Sequence, residues 1–164
     1  MWDRFLYSAY RDATSALNDY LKSSSQDKTA LELKVKILLR THRYNYAKQV
    51  AKTLLMLGGE ESQYLYYYGF ALLCSGDFEG AYSTFHRAYS LDPDGSFSFG
   101  SLARQAKELN NLKKKGNDLV SQGKADEAIA EYTKVQFFLF RRKSVTCRVS
   151  SFATLRNCST ATSF

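Results

Sequence analysis

Three features of the sequence point to an all-α protein built from helical hairpins that stack in series. A single proline and nine glycines in 164 residues supply too few chain reversals for an all-β protein. Hydrophobic residues at 45% and aromatic residues at 15% are enough for a packed core and argue against a disordered chain. Finally, the chain repeats itself. With position 1 set at Lys28, Ser62 and Leu109, the small residues Ala47, Ala81 and Ala128 fall at position 20, and Leu31, Leu65 and Leu112 at position 4. The first two copies are 34 residues apart without a gap.

The register holds elsewhere. Position 8 receives Val35, Gly69 and Gly116, position 11 receives Leu38, Leu72 and Leu119, and position 24 receives Ala51, Phe85 and Tyr132. Positions 4, 8 and 11 line one stripe of a first helix, and positions 20, 24 and 27 one stripe of a second, so each copy is a helical hairpin. Small residues at positions 8 and 20 let the two helices approach, and His42, Gly76 and Gly123 at position 15 mark the turn between them. One such hairpin cannot bury its apolar face alone, so the copies stack into a solenoid.

Element by element, residues 1–27 form a partial N-terminal repeat. Counting back one period puts Ala13, Leu17 and Tyr20 at positions 20, 24 and 27 of a second helix at about 9–22. The stretch SSSQD is the following turn, with Asp27 as helix cap. The array proper covers 28–135, as copies 28–61 and 62–95, a linker helix at 96–108, and a last copy at 109–135. The first copy lacks the turn glycine and the closing proline and stops at Gly58 and Gly59 instead. The stretch GSFSFGSLARQAKELN contains an insertion that shifts the last copy by 13 residues. Its pattern Leu102, Ala106, Leu109 continues into LKKKGNDL, which predicts one long unbroken helix.

The net charge of +7 is concentrated at one end. Arg141, Arg142, Lys143, Arg148 and Arg156 stand in a stretch without acids, leaving 18 basic against 16 acidic groups before it. The body is therefore near neutral, which disfavours nucleic acid as a partner. The basic tail 136–164 has no helical period and reads as poorly ordered or as a terminus unrelated to the repeats, with a basic docking tail as the alternative. No run of about 18 apolar residues exists, and MWDRFLYSAYRD is no signal peptide, so no membrane is expected and the setting is cytoplasmic or nuclear. An AsnCysSer acceptor at 157–159 would matter only on a secretory route. Cys74, Cys147, Cys158, His42 and His86 offer neither disulfide nor metal spacing, and no cofactor is expected. No nucleophile has a base nearby in sequence, so neither a catalytic residue nor a small-molecule substrate is expected.

The stretch from Ser62 to Gly95 resembles a tetratricopeptide repeat through Leu65, Tyr68, Gly69, Leu72, Gly76, Phe78, Ala81, Phe85, Ala88 and Pro93. A repeat ending LDPD, then ARQAKEL, then LKKKGN opening another repeat, is similar to the middle of J-domain co-chaperones that carry such repeats, over about residues 9 to 135. The resemblance implies a tetratricopeptide-type helical-hairpin solenoid that binds proteins in a concave groove. It implies partners of the heat-shock protein 70 and heat-shock protein 90 type, or their clients. In that family a lysine at position 5 and an asparagine at position 9 open a two-carboxylate clamp for a chaperone tail, and Lys113 and Asn117 hold those positions. An ammonium and an amide N–H four residues apart share a helix face and suit a carboxylate. The other clamp groups, from two further repeats, have no counterpart here, and no HisProAsp motif appears, so stimulation of an ATPase is not expected. The stretch KKKGN lacks the strand and the GxxxxGK[ST] pattern of a phosphate loop.

Tyr66 and Phe70 take positions 5 and 9 of the middle copy and are expected to face the groove, with Tyr68 in the core. They form either an apolar site for peptide side chains or an aromatic packing layer for a neighbour that the chain does not supply. Three readings of function stand together: a chaperone-binding module, a generic scaffold unrelated to chaperones, and a truncated product without independent function.

Overall fold

A computed structural model of the chain describes residues 2–94 and 97–139. The tail from residue 140, with Cys147, Cys158 and the AsnCysSer acceptor, lies outside the described residues. The described elements are helices: α1 (Trp2–Ser23), α2 (Lys28–Arg40), α3 (Tyr44–Gly58), α4 (Ser62–Ser75), α5 (Phe78–Leu91), α6 (Phe99–Ser121) and α7 (125–139). None of them is long and apolar enough to cross a membrane. The chain divides into two units, one through Asn110 and one from Asn111, and α6 contributes to both.

In the first unit α1 packs on α2, α2 on α3, α3 on α4 and α4 on α5, and α2 also reaches α4. That serial contact defines an all-α, tetratricopeptide-type solenoid of helical hairpins. Helix α1 begins at Trp2 rather than near residue 9, because no glycine or proline interrupts the stretch before Ser23. Asp27 then caps α2, its carboxylate accepting from the backbone N–H groups of Thr29 and Ala30 at 2.9 and 3.3 Å. Asp77 caps α5 in the same way through Gly80 N–H at 3.1 Å. Helix α4 is apolar around much of its circumference, with Tyr64, Leu65, Tyr67, Phe70, Leu72 and Leu73 all buried, as suits an element covered on several sides.

Two sizes are exchanged where the paired helices meet. At Gly69 an added Cβ would lie 2.6 Å from the Phe85 ring, which is fully buried, so only glycine admits that ring. The first copy inverts the arrangement. Val35 stands where Gly69 stands, and Ala51 where Phe85 stands; both are 0% exposed and share one core cluster. The inter-helix turn shows the opposite economy: Gly76 enters the left-handed region at φ 86°, and His42 adopts φ 60° at the equivalent place.

The second unit contains the C-terminal half of α6 and helix α7, with Leu119, Ala128 and Val135 buried between them. Residues 136–139, placed by sequence in the tail, extend α7 instead, one turn beyond buried Val135.

Candidate functional site

Positions 5 and 9 of the three copies carry three different chemistries. In the first copy they are Glu32 and Lys36 on α2. The Glu32 carboxylate accepts from Lys36 Nζ at 2.6 Å, from Gln63 Nε2 at 2.5 Å and from the Tyr67 hydroxyl at 3.3 Å. Lys36 also lies 5.7 Å from the Tyr67 ring centroid. Its hydrogen bond to Glu32 holds the Lys36 ammonium above the usual lysine range. Sequence reasoning passed over this network, although the repeat register that singled out Lys113 and Asn117 marks Glu32 and Lys36 as their equivalents.

In the second copy the positions hold Tyr66 and Phe70 on α4. Their rings stack at 5.9 Å and 23°, and Phe97 stacks on the other partner, Tyr66, at 4.5 Å and 24°. Of the two alternatives that the sequence leaves open, these contacts match the aromatic packing layer. Phe70 is only 6% exposed, and the neighbour thought to be missing is supplied by the chain itself as Phe97, which leans in turn on Phe99. Tyr68, expected in the core, is half-buried and packs against it, while Tyr64 and Tyr67 are buried within it. Burial pushes the Tyr64 hydroxyl above the usual tyrosine range, with nearby Glu61 adding to it.

In the third copy Lys113 and Asn117 are both exposed on α6, four residues apart on one face. The Tyr132 hydroxyl donates to Asn117 Oδ1 at 2.7 Å. That bond engages the amide oxygen, so the NH2 group is the end of the Asn117 side chain with hydrogen bonds to donate to a carboxylate. Tyr132 can reach Asn117 because Gly116 gives way: a Cβ there would lie 2.6 Å from the Tyr132 ring. The lysine run is thus divided in its duties. Lys115 faces α7, where its Nζ donates to Glu131 Oε1 at 2.7 Å, and Lys134 donates to the same oxygen at 3.1 Å. Glu131 is 6% exposed, and the Lys115 hydrogen bond, followed by that of Lys134, holds its carboxyl below the usual glutamate range. Among the described residues, no group of three or more His, Cys, Asp or Glu is placed to hold a metal ion.

Stacked hairpins in this register define a tetratricopeptide-repeat protein. No family model matches the chain. Among curated proteins it is similar to the DnaJ homolog subfamily C member 7 homolog of Dictyostelium discoideum, 30% identical over 129 residues, which are 77% of this chain and 24% of that protein. It is also similar to the homolog from Schizosaccharomyces pombe, 29% identical over 102 residues, 62% of this chain and 21% of that one. The chain therefore spans at most about a quarter of the length of these relatives. Among solved structures, MamA 41-end from Desulfovibrio magneticus RS-1 shares the fold with a TM-score of 0.51 at 20% identity, covering 83% of this chain and 69% of that one. The MamA RS-1 ArsTM double mutant does so at the same TM-score, covering 84% and 69%. Fold and likeness together support a protein–protein interaction module.

Proposed function

We infer that this module works as a co-chaperone segment, holding the acidic C-terminal tails of heat-shock protein 70 and heat-shock protein 90 type chaperones, or peptide segments of their clients, in the cytoplasm or nucleus. The observation that carries the reading is the Lys113 and Asn117 pair, both exposed and four residues apart on α6, with the Asn117 amide oxygen engaged by the Tyr132 hydroxyl. A terminal carboxylate meets an ammonium there and accepts one amide N–H. The similarity to DnaJ homolog subfamily C member 7 homologs supports chaperone-related partners.

A generic scaffold is the second reading, and one observation favours it. The first copy carries Glu32 where the third carries Lys113, so the charge at that position is reversed and already neutralised by Lys36. A short acidic peptide ending in a free carboxylate separates the two in a fluorescence anisotropy titration. The co-chaperone reading expects binding that is lost on amidating the terminus and weakened two- to fivefold by Lys113→Ala, since an exposed charge pair contributes about 0.5–1 kcal/mol. Indifference to both changes favours the scaffold.

A further inference from the structure

The aromatic cluster of the first unit has a use that packing alone does not exhaust. The geometry points to a slot for a single aromatic side chain on the Tyr66 face of α4, which Phe97 now fills and which an aromatic residue of an extended partner peptide would take in its place. The slot rests on the peptide-binding reading above and narrows the partner to a segment bearing an aromatic residue.

Four observations support it. Phe97 and Tyr66 form a near-parallel pair at 4.5 Å, the arrangement that selects a planar ring over an aliphatic chain. Tyr66 is backed by Phe70, which is buried, and flanked edge-on by Tyr67 at 66°, so the receiving surface is fixed whether or not Phe97 is on it. Phe97 itself stands outside any helix and is half-buried, whereas Phe99, two residues on, begins α6 and is 1% exposed. The anchor and the occupant are therefore different residues, and withdrawing Phe97 leaves Phe99 in the core. Lastly, Tyr66 and Phe70 stand four residues apart on α4, so the two rings that build the slot fall on one face of that helix.

The internal ring competes with any incoming one, so its removal strengthens binding. The probe is a fluorescein-labelled peptide Ser-Phe-Ser-Phe-Gly with acetylated and amidated ends, which copies the internal occupant and carries no carboxylate. Anisotropy titrations against the full chain are expected to give weak binding to the wild type and roughly three- to tenfold tighter binding to Phe97→Ala, the factor worth one aromatic stack. Tyr66→Ala added to that variant is expected to remove the gain, and the peptide Ser-Ala-Ser-Ala-Gly to bind neither. Should Phe97→Ala lose its helical circular dichroism, Phe97→Leu decides, since it keeps bulk and loses the stack. Equal affinity for wild type and the folded variant, or a gain that survives Tyr66→Ala, overturns the slot. Binding of the free-carboxylate acidic peptide alone refutes the slot and leaves the module reading intact, whereas failure of both peptides refutes both.

Discussion

The exchange of sizes between positions 8 and 24 gives a prediction that reaches the core of the fold. Gly69 faces Phe85 in the second copy, whereas Val35 and Ala51 take those places in the first. Phe85→Ala empties a fully buried site and is expected to cost about 3–5 kcal/mol. Gly69→Val drives a Cβ to 2.6 Å from a ring with nowhere to go, an overpacking worth about 1–3 kcal/mol. If the sites were independent, the double variant would lose about 4–8 kcal/mol, as much as many domains possess. Together, however, the two changes transplant the Val35 and Ala51 pair, with the valine methyls entering the space the phenyl leaves. A loss of about 1–3 kcal/mol is then expected, and a coupling of at least about 1 kcal/mol between the sites. Urea unfolding of the four proteins, followed by far-ultraviolet circular dichroism, measures it. Additivity within about 0.5 kcal/mol would refute the claim that these positions form one contact.

Further predictions concern the turn, the buried acid and the amide. His42→Gly relieves a left-handed backbone where the other copies carry glycine, and is expected to raise stability by about 0.5–1 kcal/mol, seen as a higher urea midpoint; a lower midpoint contradicts the strain. The Glu131 carboxyl is held below its ordinary range, so its contribution is complete above the unfolded value and is lost as pH falls through the folded one. Acid titration from about pH 6 to 3 should therefore weaken the wild type more steeply than Glu131→Gln, which starts less stable because Lys115 and Lys134 lose their partner; parallel profiles would count against the triad. Tyr132→Phe keeps the ring against Gly116 but releases Asn117, and is expected to weaken the carboxylate peptide roughly two- to fivefold with little change in the urea midpoint.

Much of the fold was legible because repeat packing writes its constraints at fixed offsets. Ala47, Ala81 and Ala128 announced the close helix approach, and all three are buried. The unbroken run through Leu102, Ala106 and Leu109 is α6, and Leu109 is 1% exposed. The site was less legible, because periodicity says which face a residue occupies and not what covers that face. Tyr66 and Phe70 had the right register, yet the sequence pattern has no term for a ring arriving from a loop some thirty residues on, as Phe97 does. Tyr64, Tyr67 and Tyr68 posed a similar difficulty: in the stretch YLYYY on a helix covered on several sides, hydrophobicity does not rank the tyrosines. The role of Lys115 was hidden by its neighbours Lys113 and Lys114, since only the position of Glu131 on α7 separates one lysine from the run.

The proposed module holds peptide on the helix faces at positions 5 and 9. Two-dimensional amide nuclear magnetic resonance of the full chain, titrated with the acidic free-carboxylate peptide, tests this residue by residue. Shifts are expected to gather on Lys113, Asn117 and the α6 turn around them and to vanish when the peptide is amidated. Shifts concentrated on α7 around Ile129 and Phe137, or unchanged by amidation, would contradict it.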